Sequence, residues 1–148
     1  MGFVKDSSFY HDAIQILEYP WGDYYMFSTY IVSEIKEGVV YTWDDHAAPV
    51  VKELSELYDQ KGENLVLIAN RVHSYSVKPS DWIKFFKSEY KLKGYAIVTY
   101  SRKGFITSLI EKLFMRSTFQ SFDNLEEAIA WAKEVTNTTE SKSNGKSA

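Results

Sequence analysis

Cysteine is absent from the 148 residues, which excludes disulfide scaffolds, cysteine nucleophiles, iron–sulfur clusters and thiolate zinc sites. Histidine is nearly as scarce. His11, His46 and His73 are scattered, with no pair at i, i+3 or i, i+4, so no metal site is expected. The 7 glycines stand singly from Gly2 to Gly145, so neither G-x-G-x-x-G nor G-x-x-x-x-G-K-S/T occurs and nucleotide binding by those devices is excluded. No other cofactor is expected. A G-x-S-x-G elbow is missing too, and although Ser76, His73 and Asp81 are close in sequence, no catalytic residue is assigned and the chain reads as a non-enzyme. Charge of one sign is also lacking. With 17 Lys+Arg against 20 Asp+Glu the net charge is -3, and bulk electrostatics gives no reason to expect nucleic acid. No window approaches the ~18 apolar residues of a membrane span. The stretch from Met1 to Tyr10 has no signal-peptide core, so a cytoplasmic location is expected.

What the sequence does contain is a core. Hydrophobic residues make up 45% and charged residues 25% of the chain, the composition of one globular domain. A chain of this length buries roughly 68–70% of its unfolded surface and needs no covalent staple. Residues 1–12 read as an N-terminal extension and 13–135 as the domain. From Thr136 the sequence TNTTESKSNGKSA has no apolar residue before its last alanine, so 136–148 is expected to be a disordered tail.

The first third is β-rich and aromatic. Ala13 to Tyr19 alternates and is broken by Pro20-Trp21-Gly22; Asp23 to Ser28 and Tyr30 to Lys36 meet at Ser28-Thr29 as a hairpin, and Val39 to Trp43 is a short segment with no assignable partner. From Asp44 to Tyr58 the spacing of Ala47, Val50, Val51, Leu54, Leu57 and Tyr58 predicts a helix, with Asp44 or Asp45 as its cap and Pro49 near its start. Leu65 to Ala69 has no polar alternation, which predicts a strand buried on both faces at the sheet centre. A second helix opens at Pro79-Ser80-Asp81 with Trp82, Ile83, Phe86 and Tyr90 on its buried side. Then follow a strand from Tyr95 to Tyr100, a third helix over Gly104 to Met115 with Phe105, Ile106, Leu109, Ile110 and Leu113 inward, and an edge strand over Thr118 to Phe122. Asp123-Asn124-Leu125-Glu126 reads as an acidic capping box opening a last helix with Leu125, Ala128, Ile129 and Ala132 on its core face. Strands alternating with helices after a hairpin predict an α/β domain whose mixed sheet starts antiparallel and continues parallel, with helices packed on it.

This order of elements resembles a STAS-type domain. The segments YIVSEIKEGV from Tyr30, IANRVHSYSVKP from Ile68, GYAIVTYS from Gly94 and FDNLEEAIAW from Phe122 are similar to the bacterial SpoIIAA-like, or STAS/CRAL-TRIO-like, proteins. The resemblance covers Asp23 to Lys133 and implies a STAS-like fold and a non-enzymatic interaction or regulatory module. Its CRAL-TRIO side implies the alternative of a small-ligand or lipid carrier. The chain departs from the kinase-switched members, which have an Asp-Ser-Ser-Gly-like sequence after the central strand. Here Val77 or Lys78 falls at the phospho-acceptor position, so that switch is not carried over.

The loop from Asn70 to Lys78 should lie beyond the carboxyl end of the central strand, where open α/β sheets usually bind ligands. It holds Asn70, Arg71, His73, Ser74, Tyr75, Ser76 and Lys78, and Ser101, Arg102 and Lys103 follow the next strand. Two polar, basic loops leading into helices read as a small-anion site, or as a solvated loop tied down by Asn70 and Arg71. The aromatic load of 16% crowds Tyr10, Tyr19, Trp21, Tyr24, Tyr25, Phe27 and Tyr30 into the first strands. That reads as a surface for a protein partner, as core, or as a homodimer seam.

Overall fold

The structure, a computed structural model, describes residues 2–88, 91–101 and 118–147, the backbone alone at 79, 82, 86 and 138–147. Its strands are β1 (Gln15–Tyr19), β2 (Gly22–Met26), β3 (Tyr30–Ile35), β4 (Val40–Tyr41), β5 (Val66–Arg71), β6 (Ser76–Val77), β7 (Gly94–Thr99) and β8 (Thr118–Phe122). The helices are α1 (Ala48–Tyr58), α2 (Pro79–Lys87) and α3 (Leu125–Ser147). Six strands form one sheet in the order β1-β2-β3-β5-β7-β8, antiparallel over β1, β2 and β3 and parallel from β3 to β8. The expected α/β architecture with a mixed sheet is observed. β5 lies inside the sheet and Val66, Ile68 and Ala69 are buried, as the unbroken apolar run requires.

Alternating side chains split the core into two layers. One face holds Leu17, Tyr24, Ile31, Ala69, Tyr95 and Ile97 with Val50 and Leu54 of α1. The other holds Tyr25, Val32, Ile68 and Val98 with Leu125, Ala128, Ile129 and Ala132 of α3. The aromatics of β2, β3 and the turn between them are therefore interior: Tyr24, Tyr25, Phe27 and Tyr30 are all buried. Both faces of these strands are covered among the described residues, so these four rings present no free face.

Several local expectations shift. The cap upstream of α1 is Thr42, whose Oγ1 accepts from the Asp45 N–H, and Trp43–Ala47 forms a π turn before the α-helix proper. Asp44 and Asp45 are exposed and cap nothing. Leu57 lies outward on α1 and Ile83 outward on α2, whereas Asp81 and Phe85 turn inward. These two are i, i+4 neighbours, so α2 is rotated from the phase expected. At α3 the side chain of Asn124 accepts from the Glu127 N–H at 2.9 Å, moving the cap one residue beyond Asp123. Thr136 is buried and its hydroxyl donates to the Ala132 carbonyl, and α3 extends to Ser147. The side chains of Trp82 and Phe86, Tyr90, and the helix expected over Gly104 to Met115 lie outside the described residues.

The N-terminal residues belong to the fold as well. Two 3-10 turns, Val4–Asp6 and Ser8–Asp12, carry the chain along the α3 face, with Val4 fully buried and Phe9 and Tyr10 packed beside it. Residues 2–12 form a strap on the second core layer.

Candidate functional site

The carboxyl ends of β3, β5 and β7 lie side by side, and loops that follow them build a polar region. After β5 the chain turns through Val72 to Tyr75 and forms β6, which pairs in parallel with β4. That pairing is locked by the Ser76 N–H donating to the Val39 carbonyl and the Gly38 N–H donating to the Ser74 carbonyl. Gly38 has φ +76, a left-handed conformation that glycine adopts at no steric cost. The two-stranded ribbon thus walls one side of an open groove of about 660 Å³.

Six of the ten expected site residues line this groove: Arg71, His73, Ser74, Tyr75, Ser76 and Ser101. Arg71 is laid across Tyr75, its Nε donating to the phenol oxygen at 3.2 Å and its guanidinium 5.0 Å from the ring centroid. His73 stands 3.8 Å from the Glu37 carboxylate, which also accepts from the Ser74 N–H at 2.8 Å. The groove therefore carries both signs of charge. Lys78 is exposed at the start of α2 and outside the groove lining. Asp81 occupies that helix start instead, accepting from the Trp43 N–H at 3.2 Å. Arg102 and Lys103 lie outside the described residues.

Asn70 is buried and structural. Its Nδ2 donates to the Gly2 carbonyl at 2.7 Å and to Glu34 Oε2 at 2.8 Å, while its Oδ1 accepts from the Tyr100 hydroxyl at 2.7 Å. Glu34 Oε2 accepts in addition from the Val4 N–H at 2.8 Å. Every hydrogen-bonding position of the Asn70 amide but one oxygen lone pair is used. Burial pushes the Glu34 carboxyl above its ordinary value, opposed by the hydrogen bonds from Val4 and Asn70. Burial, with the Glu34 charge second, pushes the Tyr100 phenol up to about 12. Sequence reasoning passed over Glu34 and Tyr100. The available signal was a single carboxylate inside the apolar run YIVSEI, since a buried acid must find hydrogen-bond partners.

Behind the groove, between the sheet and the first two helices, is an apolar cavity of about 90 Å³ whose walls include Tyr24, Tyr41, Trp43, Tyr75, Phe85 and Tyr95. The Tyr24 and Tyr41 hydroxyls meet at 2.7 Å, and burial raises the pKa of both. Tyr75 and Val77 are shared walls, lining cavity and groove at once. His46 is tied locally, its Nδ1 accepting from the Thr42 N–H at 2.9 Å and its ring stacked on Tyr41. Among the described residues no three His, Asp or Glu side chains converge as a metal cluster, and no helix is long and apolar enough to cross a membrane.

No family model matches the chain, and neither a curated protein nor a solved structure does. The resemblance to the SpoIIAA-like proteins therefore rests on the sequence segments alone.

Proposed function

We propose that this chain is a non-enzymatic binding module of STAS-like build that receives a partner protein in the groove beyond β5 and β7. The observation that carries the reading is the convergence of Arg71, His73, Ser74, Tyr75, Ser76 and Ser101 on one open concavity, at the sheet end where α/β folds take their ligands. Its mixed charge, Arg71 and Glu37 on one lining, suits a protein surface better than a small anion. Two of the polar side chains have partners elsewhere. Asp81 accepts from the Trp43 N–H and His73 stands against Glu37 and the Phe3 ring, and we read no relay in Ser76, His73 and Asp81. The carrier alternative has an apolar cavity of about 90 Å³, well short of the roughly 300 Å³ of a typical ligand pocket.

The test is site-specific photo-crosslinking in the cells that make the protein. A photoreactive residue at Ser76 is expected to capture one protein that a probe at the exposed Glu126, on α3, does not capture. Equal capture at both positions, together with a small molecule bound one-to-one in native mass spectrometry, would replace the module by the carrier.

A further inference from the structure

Residues 2–4 sit in the Glu34–Asn70–Tyr100 cradle as a peptide sits on a sheet edge. Phe3 is extended, with φ -64 and ψ 142, so the Gly2 carbonyl and the Val4 N–H point to the same side. Asn70 supplies the donor for that carbonyl and Glu34 the acceptor for that N–H, at 2.7 and 2.8 Å. Two side chains thus do what the main chain of a neighbouring strand does in strand addition. The side chains of the segment are read too. A Cβ on Gly2 would stand 2.6 Å from the Tyr100 hydroxyl oxygen, which is already committed to Asn70. The Phe3 and His73 rings meet edge to face, 5.4 Å between centroids. Val4 fills a closed apolar site with no exposed surface.

The strap is lightly held. Val4 is its one buried residue, its two turns are 3-10 turns whose N-caps have no side-chain hydrogen bond, and among the described residues it pairs with no strand. Segments with few buried contacts open locally at much lower free energy than the sheet beneath them.

We propose that the Glu34–Asn70–Tyr100 cradle is a peptide-binding site for an extended segment with glycine, an aromatic residue and a β-branched aliphatic in succession, occupied in cis by residues 2–4 and open to such a segment of a partner protein when the strap leaves. The inference stands on this cradle and does not depend on what the neighbouring groove receives.

The test uses the full chain carrying Val4→Asp, which sets a second carboxylate beside Glu34 and expels the strap, and a fluorescent synthetic peptide of residues 1–12 as probe. With the cis occupant gone, the probe is expected to bind about tenfold or more tightly than it binds the wild-type chain, because the open fraction no longer limits affinity. A probe carrying Gly2→Val should bind about tenfold more weakly, and adding Glu34→Ala to the Val4→Asp chain should abolish binding. A folded Val4→Asp chain that binds neither probe, or both equally, overturns the proposal. So does a Val4→Asp chain that fails to fold, since the strap would then be an obligatory part of the core. Hydrogen exchange of the wild-type chain gives an independent reading: the Val4 amide should exchange about 100-fold or more faster than that of Ile68, and equal protection counts against a detachable strap.

Discussion

Glu34 stands in a strand whose every residue is buried, and its burial is partly offset by the Val4 N–H and the Asn70 amide. Because burial outweighs those bonds, its folded pKa lies above the ordinary 4.5. The stability this carboxyl contributes is full below that ordinary value and is lost as pH rises through the raised folded value. Glu34→Gln keeps an acceptor oxygen and never ionises. The difference in Tm, variant minus wild type, should therefore increase between about pH 4 and about pH 7, as thermal melts of the two proteins side by side would show. A difference that shrinks with pH would mean the native site favours the ionised carboxylate. Asn70 bridges more partners than any other described side chain of this network. Asn70→Ala strands Glu34 and Tyr100 in a buried setting and should cost about 1–3 kcal/mol, read from the urea midpoint at unchanged slope.

At the scale of elements, the helices hold the sheet from both sides through short apolar stripes. Ile129, 1% exposed, is central to the α3 contact, and Ile129→Ala should cost about 2–5 kcal/mol. Leu57, 45% exposed on α1, should tolerate alanine within about 0.5 kcal/mol. Chemical denaturation of the two variants separates them, and similar losses would mean that α1 buries a wider face than the structure assigns. The periodicity of α3 was legible because Leu125, Ala128, Ile129 and Ala132 are small or aliphatic and only one face can hold them. On α2 the same reasoning chose Ile83 over Phe85. Nine residues with aromatics on adjacent positions leave the phase open, and the contacts of Phe85 with Trp43, at 5.8 Å between rings, decide it.

For the whole molecule, the strap and α3 lie on the same sheet face and share one core layer. The sequence from Thr138 to Lys146 offers no apolar side chain to that layer, whereas Thr136 is buried in it. Truncation after Asn137 is accordingly expected to leave Tm unchanged within error, and truncation after Val135 to lower it. A scanning-calorimetry series across these two end points checks the boundary. A fall in Tm on the first truncation would show that the later residues contribute to the fold.

The amino-acid sequence by itself determined the class of sheet, the central place of Leu65 to Ala69 and the turn at Ser28-Thr29, because hydrophobic period and turn chemistry are local properties. It also placed the loops after β5 and β7 where the groove is found, since chain order in a parallel sheet sets which ends carry the loops. Only the tertiary structure decided that the aromatics of β2 and β3 are interior, that β4 finds β6, and that Asn70 ties Gly2 to Glu34 across 68 residues of chain. Those outcomes depend on which face a distant segment covers. Local sequence is silent on that, because a strand residue is equally able to face solvent or core until the second layer is laid upon it.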